Sequence, residues 1–454
     1  MIIGTTYISD IIGDRMDVQF WIGVNNYVEQ IKRIPHKPLG EIAQFSSESW
    51  NQKSIFVDVF PYIEIGAIDT TNGEINKIET VLMKDAPSRA KKIVRRNDIL
   101  ISTTRPNRGA ICLYEGYDIC IASTGFSVIR ETSELILREY LFMVLRLPCS
   151  LEQMMRRSSG GNYPAIIESE LKKILIPTPS IEVQNCVISI YLEALYYRKN
   201  KRQEAERLLD SIDDYLLDVL QVDDNSIKEN KVKETIKNVS DLIGNRLDVS
   251  FYLDKFEMIS TKYPNAKLSA VVDIDPSIKF SQLTADDAIS FVPMDCIDEE
   301  FGEISNCQEI TVAKTKGYTR FEENDLLWAK ITPCMQNGKS AIARNLKNGV
   351  GCGSTEYFVL RPKSDDLLID YVYLILRHHE VLEAAQSSFG GSAGQQRVSS
   401  QYLKSIIIPC PDVSMQKDIV RKVYDMKDKA KRLQQEGDAL LEEAKQRIEK
   451  MIIG

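Results

Sequence analysis

The sequence predicts a mixed α/β fold in two similar copies, joined by two long helices that form an antiparallel coiled coil with pseudo-twofold symmetry. Three observations support this prediction. A segment recurs, first as LKKILIPTPSIEVQ from Leu171 and again as LKSIIIPCPDVSMQ from Leu403. Both copies of this joint run directly into a long helical segment. Further matching segments occur in the same order in both halves of the 454-residue chain.

The duplication extends over most of the chain. ISDIIGDRMDVQFW (8–21) reappears as VSDLIGNRLDVSFY (239–252), and NDILIS (97–102) as NDLLWA (324–329). STGFSVIR (123–130) matches STEYFVLR (354–361), and YLFMVLR (140–146) matches YVYLILR (371–377). Matching positions stay 227 to 232 residues apart. Agreement in both order and spacing indicates a tandem duplication, so the two halves should share one fold.

Each half is predicted to contain short strands, a helix and a closing turn. Apolar runs such as SIFVDVFPYIEIG and NDILIST, separated by turn residues such as TTNGE and RPNRG, are typical of β-strands. A helix should follow, over about Glu134–Arg157 in the first half and Leu367–Gln386 in the second. A loop rich in Ser and Gly, a strand (ILIP or IIIP) and a Pro-x-Pro turn complete each half, because proline ends both strands and helices.

Heptad patterns follow both Pro-x-Pro turns. The apolar seam of each helix advances in alternating steps of four and three residues, as in a coiled coil. The first seam is predicted to be Val187, Tyr191, Ala194, Arg198, Lys201, Ala205, Leu208, Ile212, Tyr215 and Val219, and the second Ile419, Val423, Met426, Ala430, Leu433, Gly437, Leu440 and Ala444. Because the first helix leads into the second domain, paired seams require the second helix to run back. The alternative is two unrelated helices, each lying on its own domain.

Gly437 stands on the second seam where the first has Ala205. A glycine there should allow either a close approach of the two helices or a local kink. The symmetry between the two helices is therefore expected to be inexact at this position.

Charge is unevenly distributed along the chain, whose formal net charge is −8. Lys84–Arg108 holds eight basic and two acidic residues, whereas Glu204–Asp224 holds eight acidic residues and one arginine. A locally basic surface can meet phosphate groups, although such runs are also typical of solvated faces. No apolar segment is long enough to span a bilayer, the first residues lack the features of a signal peptide, and the nine cysteines form no CxxC pair. We therefore expect a cytoplasmic protein without a metal site.

Few residues suggest catalysis. The adjacent His378 and His379 should point in different directions from a helix and lie at the surface. The sequence contains no P-loop, no nucleophile elbow and no base-holding motif of an amino-methyltransferase. Pro411-Asp412 with Asp425-Met426-Lys427 fits the loose PD-(D/E)xK nuclease pattern, but its second part falls inside the heptad helix, where the carboxylates could not converge on a metal. The sequence does not predict an enzyme.

Polar loops at equivalent places in both halves are the candidate binding residues. Arginine pairs with guanine and Asn or Gln with adenine, so these loops suit the reading of base edges in a major groove, while nearby lysines and arginines suit phosphate. The candidates are Lys91, Lys92, Arg95, Arg96, Arg105, Asn107, Arg108, Ser158, Ser159, Asn162 and Tyr163 in the first half, and Lys330, Thr332, Gln336, Asn337, Lys339, Ser388, Ser392, Gln395, Gln396 and Arg397 in the second. These loops diverge more than the apolar segments, as expected of one scaffold that reads two different half-sequences.

The repeated joint, the Gly-Gly pairs before it (160–161 and 390–391) and the two long helices resemble the specificity subunit of a Type I restriction-modification system, over essentially the full chain. The resemblance implies target recognition domains at 1–180 and 235–411. It also implies spacer helices at 181–222 and 412–454, with a linker at 223–234. Each domain would bind one half of a bipartite DNA site, and the paired helices would set the gap between the halves.

The same resemblance implies the partners. Two methyltransferase subunits would dock around the helices, and restriction and translocase subunits would join the restricting complex. S-adenosylmethionine would be bound by the methyltransferase, which methylates adenine, whereas this subunit would carry neither cofactor nor catalytic residues. Two alternatives stay open: a recognition subunit of another DNA modification or defence system, and an adaptor that acts through its coiled coil without binding DNA.

Overall fold

The computed structural model describes residues 27–222, except 52–54 and 57, and residues 257–454, except 306, 387 and 390–395. The repeated segments 8–21 and 239–252 and the predicted linker 223–234 lie outside the described residues. Two compact units divide the chain: Met1–Arg202 with Gln434–Gly454, and Gln203–Leu433. The division cuts through both long helices, so each unit contains part of each. The domain boundaries stated above remain predictions.

The first half of the chain consists mainly of β-strands. In chain order its elements are α1 (Tyr27–Ile31), β1 (His36–Pro38), α2 (Leu39–Ile42), β2 (Ala43–Phe45), β3 (Val59–Ile63), β4 (Glu79–Leu82), β5 (Ala90–Arg95), β6 (Ile99–Ser102), β7 (Ile111–Leu113), β8 (Ile119–Ser123), β9 (Phe126–Thr132), α3 (Arg138–Leu145), α4 (Pro148–Arg156), α5 (Glu168–Leu171), β10 (Leu175–Pro177) and the long helix α6 (Ile181–Leu220). One sheet has the order β2-β9-β6-β7, a second β4-β3-β8-β5, and β1 pairs with β10. Only β3 and β8 run parallel among these described strands.

The second half repeats this plan strand for strand. Its elements are β11 (Asn265–Lys267), α7 (Leu268–Val271), β12 (Val272–Ile274), β13 (Ala288–Val292), β14 (Gln308–Thr311), β15 (Thr319–Glu322), β16 (Leu326–Ala329), β17 (Ser340–Ile342), β18 (Val350–Gly353), β19 (Tyr357–Pro362), α8 (Ile369–Arg377), α9 (His379–Gln386), α10 (Ser400–Ser405), β20 (Ile407–Pro409) and the long helix α11 (Val413–Ile453). The sheet orders are β12-β19-β16-β17, β14-β13-β18-β15 and β11-β20. The predicted duplication and the mixed α/β class are confirmed.

A central strand separates the two cores of each unit. In β6, Ile99 and Ile101 pack in a core with the helices, whereas Leu100 packs in the core between the two four-stranded sheets. Strand β16 does the same, with Leu326 facing the helices and Leu327 facing the second sheet. Successive side chains of a strand point to opposite faces, so an uninterrupted apolar run is what a strand buried on both faces requires.

The repeated joint is held by its buried glutamine. Gln184 Nε2 donates to Leu135 O and Pro179 O, both at 2.9 Å, and Gln184 Oε1 accepts from Leu137 N at 2.8 Å. Gln416 makes the same three contacts in the second unit, with Asp366 O, Pro411 O and Leu368 N. One side chain thus ties the start of each long helix to the segment before α3 in the first unit and before α8 in the second. This explains why Gln recurs in the joint.

The helix predicted between the strands and the joint is two helices in each unit, so the predictions over Glu134–Arg157 and Leu367–Gln386 were too simple. In the first unit the chain leaves the helix at Leu147, which has φ −75° and ψ 153°. Pro148 disfavours a helical conformation in the residue before it, which accounts for this break. In the second unit the break falls at His378, with φ −56° and ψ 133°.

The long helices run antiparallel within each unit. In the first unit, Arg198 Nε lies 2.6 Å from Asp438 Oδ1, and Lys201 Nζ lies 2.8 Å from Glu436 Oε2. In the second unit Ala205 packs with Ala430 and Leu433 in a buried cluster. Residue numbers rise along one helix as they fall along the other. The coiled coil is therefore confirmed, and two unrelated helices lying on their own domains are excluded.

The predicted seams are wrong at the C-terminal part of each helix. Leu440 is 42% exposed, whereas Leu441 is buried, and on α6 Leu216 and Leu220 are buried in place of Tyr215 and Val219. The buried positions advance by two successive steps of four there, because the helix also packs against its domain. Around Gly437 the prediction of close approach is confirmed, since an added Cβ would lie 3.2 Å from Arg198 Cα.

Among the described residues, no helix combines the length and the apolar character that a membrane span requires.

Candidate DNA interface

Two predicted loops of the first unit lie side by side. A β-bridge joins Thr104 to Ala165 and aligns the loop after β6 with the loop after α4. The Arg105 guanidinium lies 4.3 Å from the centre of the Tyr163 ring and donates to Asn162 O at 3.4 Å. Tyr163 is 71% exposed. The structure therefore brings candidates from segments more than fifty residues apart onto one surface.

The loop after β6 has a tight, unusual backbone. Arg105 adopts the left-handed region with φ 48° and ψ 54°, a single 3₁₀ turn covers Pro106–Arg108, and Gly109 ends it at φ 70°. Left-handed backbone is unfavourable for a residue with a Cβ and costs glycine little, so the conformation of Arg105 is held by its neighbours. The turn leaves Asn107 and Arg108 exposed at its tip.

The second unit places the equivalent loops together in the same way. Thr332 N donates to Gln396 O at 3.0 Å, and Val398 N donates to Lys330 O at 2.9 Å. A β-bridge between Ile331 and Arg397 lies between these contacts. The backbone framework therefore recurs, while the side chains it carries differ from those of the first unit.

Acidic side chains neutralise part of the second surface. Arg397 forms a two-pronged ion pair with Glu356, at 2.7 and 2.9 Å, and this hydrogen bonding lowers the pKa of the Glu356 carboxyl. Glu299 lies 3.1 Å from Asn337 Nδ2 and 3.4 Å from Lys339 Nζ. In the first unit the matching positions of these two acids are Gly125 and Thr70. The two loop surfaces therefore differ in charge as well as in sequence.

An arginine supports the loop in each unit, and it is buried in the first unit and half-buried in the second. Arg146, the last residue of YLFMVLR, donates to Gly109 O at 3.0 Å and to Ile111 O at 2.9 Å. Arg377, its equivalent in YVYLILR, donates to Gly338 O at 2.6 Å and to Glu299 O at 2.7 Å. Sequence reasoning missed this pair, although an arginine that recurs at the end of an apolar helix was a usable signal.

The predicted basic patch lies mainly on an edge strand. Lys91, Lys92 and Arg95 belong to β5, an edge of the second sheet, with the two lysines half-buried. Arg95 pairs with Glu48 at 3.0 Å, and this hydrogen bond lowers the pKa of the Glu48 carboxyl. Arg96 is exposed and donates to Gly116 O at 3.3 Å. The patch is therefore partly neutralised within the protein.

Several candidates are turned inward or lie outside the described residues. Ser388 is fully buried and donates to Ala385 O, so its side chain offers no surface contact. Ser158 donates to Met154 O, while Ser159 is exposed. Gln336 is exposed and donates to Gln386 Oε1 at 3.3 Å. Ser392 and Gln395 lie outside the described residues.

The prediction for the histidine pair was wrong about His378 and about the directions of the two side chains, whereas His379 is exposed as predicted. His378 is fully buried, and its ring stacks on that of His379 with centres 5.0 Å apart. The helix break at His378 causes this, since adjacent side chains of a continuous helix would diverge. The nuclease-like pattern has structural explanations: Asp412 accepts from Met415 N at 3.0 Å at the start of α11, and Lys427 is buried against the domain.

The chain contains two equivalent sheet-and-helix units, and each presents a different pair of polar loops. This arrangement defines a duplicated recognition protein. The chain belongs to the family of the Type I restriction modification DNA specificity domain, whose model matches residues 36–208 and 260–442. The match covers one copy of the domain in each half.

Two Escherichia coli proteins are similar to part of this chain. The Type I restriction enzyme EcoEI specificity subunit is 36% identical over 191 residues, which are 41% of this chain and 31% of that protein. The EcoAI specificity subunit is 34% identical over 190 residues, with the same two shares. The chain thus spans about a third of the length of these relatives. A solved structure concerning complex assembly and conformational transition of the type I R-M system is 22% identical, covers 92% of this chain and 96% of its own, and has a TM-score of 0.47.

Proposed function

We propose that the chain is the DNA-recognition subunit of a Type I restriction-modification system and that each unit reads one half of a bipartite DNA sequence. The recurrence of one adjoining loop pair at the same place in both units, with different side chains, carries the proposal. Shared backbone with divergent side chains is what two half-sites of different sequence require. Family membership supports the same function.

In the first unit the tip of the loop after β6 is assigned to base reading. Arg105 and Arg108 each have a guanidinium able to pair with guanine, and Asn107 has an amide able to pair with adenine. The adjoining Tyr163 ring fixes the direction of the Arg105 side chain, from which it lies 4.3 Å away. Lys91, Lys92 and Arg96 are assigned to phosphates, which position the protein without reading sequence.

The chain itself is proposed to be non-catalytic. Two methyltransferase subunits would bring S-adenosylmethionine and the chemistry of adenine methylation, and restriction and translocase subunits would complete the restricting complex. The whole assembly would work in the cytoplasm with its DNA. The recognition subunits named among the relatives support this division of labour.

Methylation mapping tests the assignment to half-sites. The chain is co-expressed with its cognate methyltransferase, and methylated adenines are located across the host genome. We expect one bipartite motif with a fixed gap, and Arg105→Ala or Arg108→Ala should relax one half only, because a good base contact is worth about 1–3 kcal/mol of discrimination. Asn337→Ala, at the position of the second unit that matches Arg108, should affect the other half. Equal relaxation of both halves by Arg105→Ala would contradict the assignment of that loop.

Salt dependence separates DNA binding from an adaptor role. The slope of log K against log salt is negative, and removing one lysine that neutralises a phosphate should make it less steep by about 0.9. Lys91→Ala and Lys92→Ala should each make the slope less steep and weaken binding to any sequence. Binding is measured on duplex DNA, with the chain in complex with its methyltransferase. An affinity that does not change with salt would support a coiled-coil adaptor that binds no DNA.

A further inference from the structure

A cluster of three potential metal ligands lies in the second unit, where α6 passes the junction between α8 and α9. His379 Nδ1 lies 2.7 Å from Asp213 Oδ2, and the His378 and His379 rings stack with an interplanar angle of 21°. One ligand atom from each of these residues lies within 4.8 Å of the other two. Two imidazoles and one carboxylate thus converge on one small volume.

The backbone break at His378 produces this convergence. In an unbroken helix neighbouring side chains point about 100° apart, and two adjacent histidines could not face one carboxylate. Here His378 has extended backbone between the two helices, and the two rings become nearly parallel. Burial of His378 restricts its rotamers, and Asp213 is held by the N–H of His379, which donates to Oδ2 at 2.9 Å. A site held in place before the ligand arrives loses less conformational entropy on binding.

Acidic neighbours would favour a cation at this place. Glu380 Oε1 lies 3.4 Å from His379 Nε2, and Asp214 is the next residue to Asp213 on α6. This part of α6 belongs to the segment Glu204–Asp224, in which eight acidic residues accompany one arginine. A simple helix-capping role explains why Asp213 accepts from the N–H of His379 and why His378 Nδ1 accepts from the N–H of Glu380 at 3.3 Å, but it does not explain why the exposed imidazole of His379 also meets the Asp213 carboxylate.

The first unit lacks all three ligands at the matching positions. Leu147 and Pro148 stand where the second unit has His378 and His379, and Lys445 stands where it has Asp213. Lys445 Nζ donates to Thr71 O at 3.2 Å, so this side chain has a different role in the first unit. The cluster is thus a feature of one copy of the duplicated fold, and the other copy is an internal comparison.

We propose that Asp213, His378 and His379 form a binding site for a divalent transition-metal ion of the zinc class. Imidazole nitrogens and carboxylate oxygens are common ligands of such ions at about 2.0–2.2 Å, and the exposed side of His379 leaves room for water to complete the coordination. His379 and Asp213 would separate slightly from their present hydrogen bond to admit the ion. The ion would link the spacer helix to the recognition domain of the second unit.

Titration calorimetry of the full chain with Zn²⁺ tests the site, using protein without a histidine tag after treatment with a chelator. Asp213→Asn keeps an acceptor for the N–H of His379, since Asn also caps helices well, but removes the anionic ligand. His379→Gln removes one imidazole at an exposed position, so folding should not be affected. We expect one tight equivalent in the unchanged chain and at least tenfold weaker binding in both variants.

His36→Gln is the matched control, because His36 is the only other histidine in the sequence and its ring contacts Ile34 O at 2.8 Å in the first unit. It should bind Zn²⁺ like the unchanged chain. X-ray absorption of the bound ion should show nitrogen and oxygen but no sulfur neighbours. Binding that survives Asp213→Asn and His379→Gln, a sulfur neighbour from one of the nine cysteines, or no binding at all would overturn the proposal.

Discussion

Lys427 and Tyr373 form a buried polar pair that the first unit replaces with apolar residues. Lys427 Nζ donates to the Tyr373 hydroxyl at 2.9 Å and to Phe301 O at 3.1 Å, beside a cavity of about 300 Å³. The matching residues of the first unit are Leu195 and Phe142. The double change Lys427→Leu with Tyr373→Phe therefore gives the second unit the same two residue types that the first unit has at these positions.

Burial sets the size and the sign of the expected effect. It lowers the pKa of Lys427 from 10.5 to about 7. At about 1.4 kcal/mol for each pKa unit, this corresponds to at most about 5 kcal/mol of destabilisation below pH 7. The two hydrogen bonds of the charged amine, and the one that the Tyr373 hydroxyl donates to Phe301 O at 2.9 Å, offset part of it. We therefore expect the double change to raise the unfolding free energy of the second unit by about 1–2 kcal/mol at pH 7.

The pH dependence follows from the same pKa difference. Between pH 7 and 10.5 the unfolded state binds more protons at Lys427 than the folded state, so the unfolding free energy of the unchanged chain rises with pH in this range. The variant lacks this contribution. Its advantage should be largest at pH 7 and should shrink by pH 9.5.

Urea unfolding followed by hydrogen exchange measures this effect unit by unit. Exchange in residues 421–433 reports on the second unit, and exchange in β6 reports on the first, which should not change. Lys422→Leu, a change of an exposed lysine on the same helix, is the control and should give no gain that depends on pH. A less stable variant at pH 7, or an equal gain at pH 7 and 9.5, would refute the reasoning.

Two further predictions concern residues that recur in both units. Arg146→Met should relax reading of one DNA half-site in methylation mapping and Arg377→Met the other, because each arginine holds its loop through Gly109 O or Gly338 O. Supplying guanidinium should partly restore specificity, and no change in either half would contradict the positioning role. Gln416→Leu should lower the unfolding free energy by about 1–3 kcal/mol in urea titration, because it leaves the buried Pro411 O and two partly buried backbone groups without their partner. Lys417→Leu at the exposed next position should stay within about 0.5 kcal/mol.

Patterns local in the chain were sufficient for much of the fold. The repeated joint marked the start of both long helices, and the apolar runs NDILIS and NDLLWA marked strands buried on both faces. The break before Pro148 could also have been predicted, because proline restricts the residue before it. The candidate loops were found because polar residues recurred at matching places, but their contacts with one another were not foreseen.

The sequence by itself determined the duplication, the strand-rich units and the antiparallel helices. The spacing of apolar residues predicts which faces of strands and helices are buried, and the order of the repeats predicts the direction of the second helix. Only the tertiary structure placed Arg105 on Tyr163, turned Ser388 inward and brought Asp213 to the two histidines. Arg105 and Tyr163 are more than fifty positions apart, and Asp213 is more than one hundred and fifty positions from the two histidines. The burial of Ser388 depends on the core around it. The packing of whole elements decides which distant side chains meet, and no local sequence pattern predicts that packing.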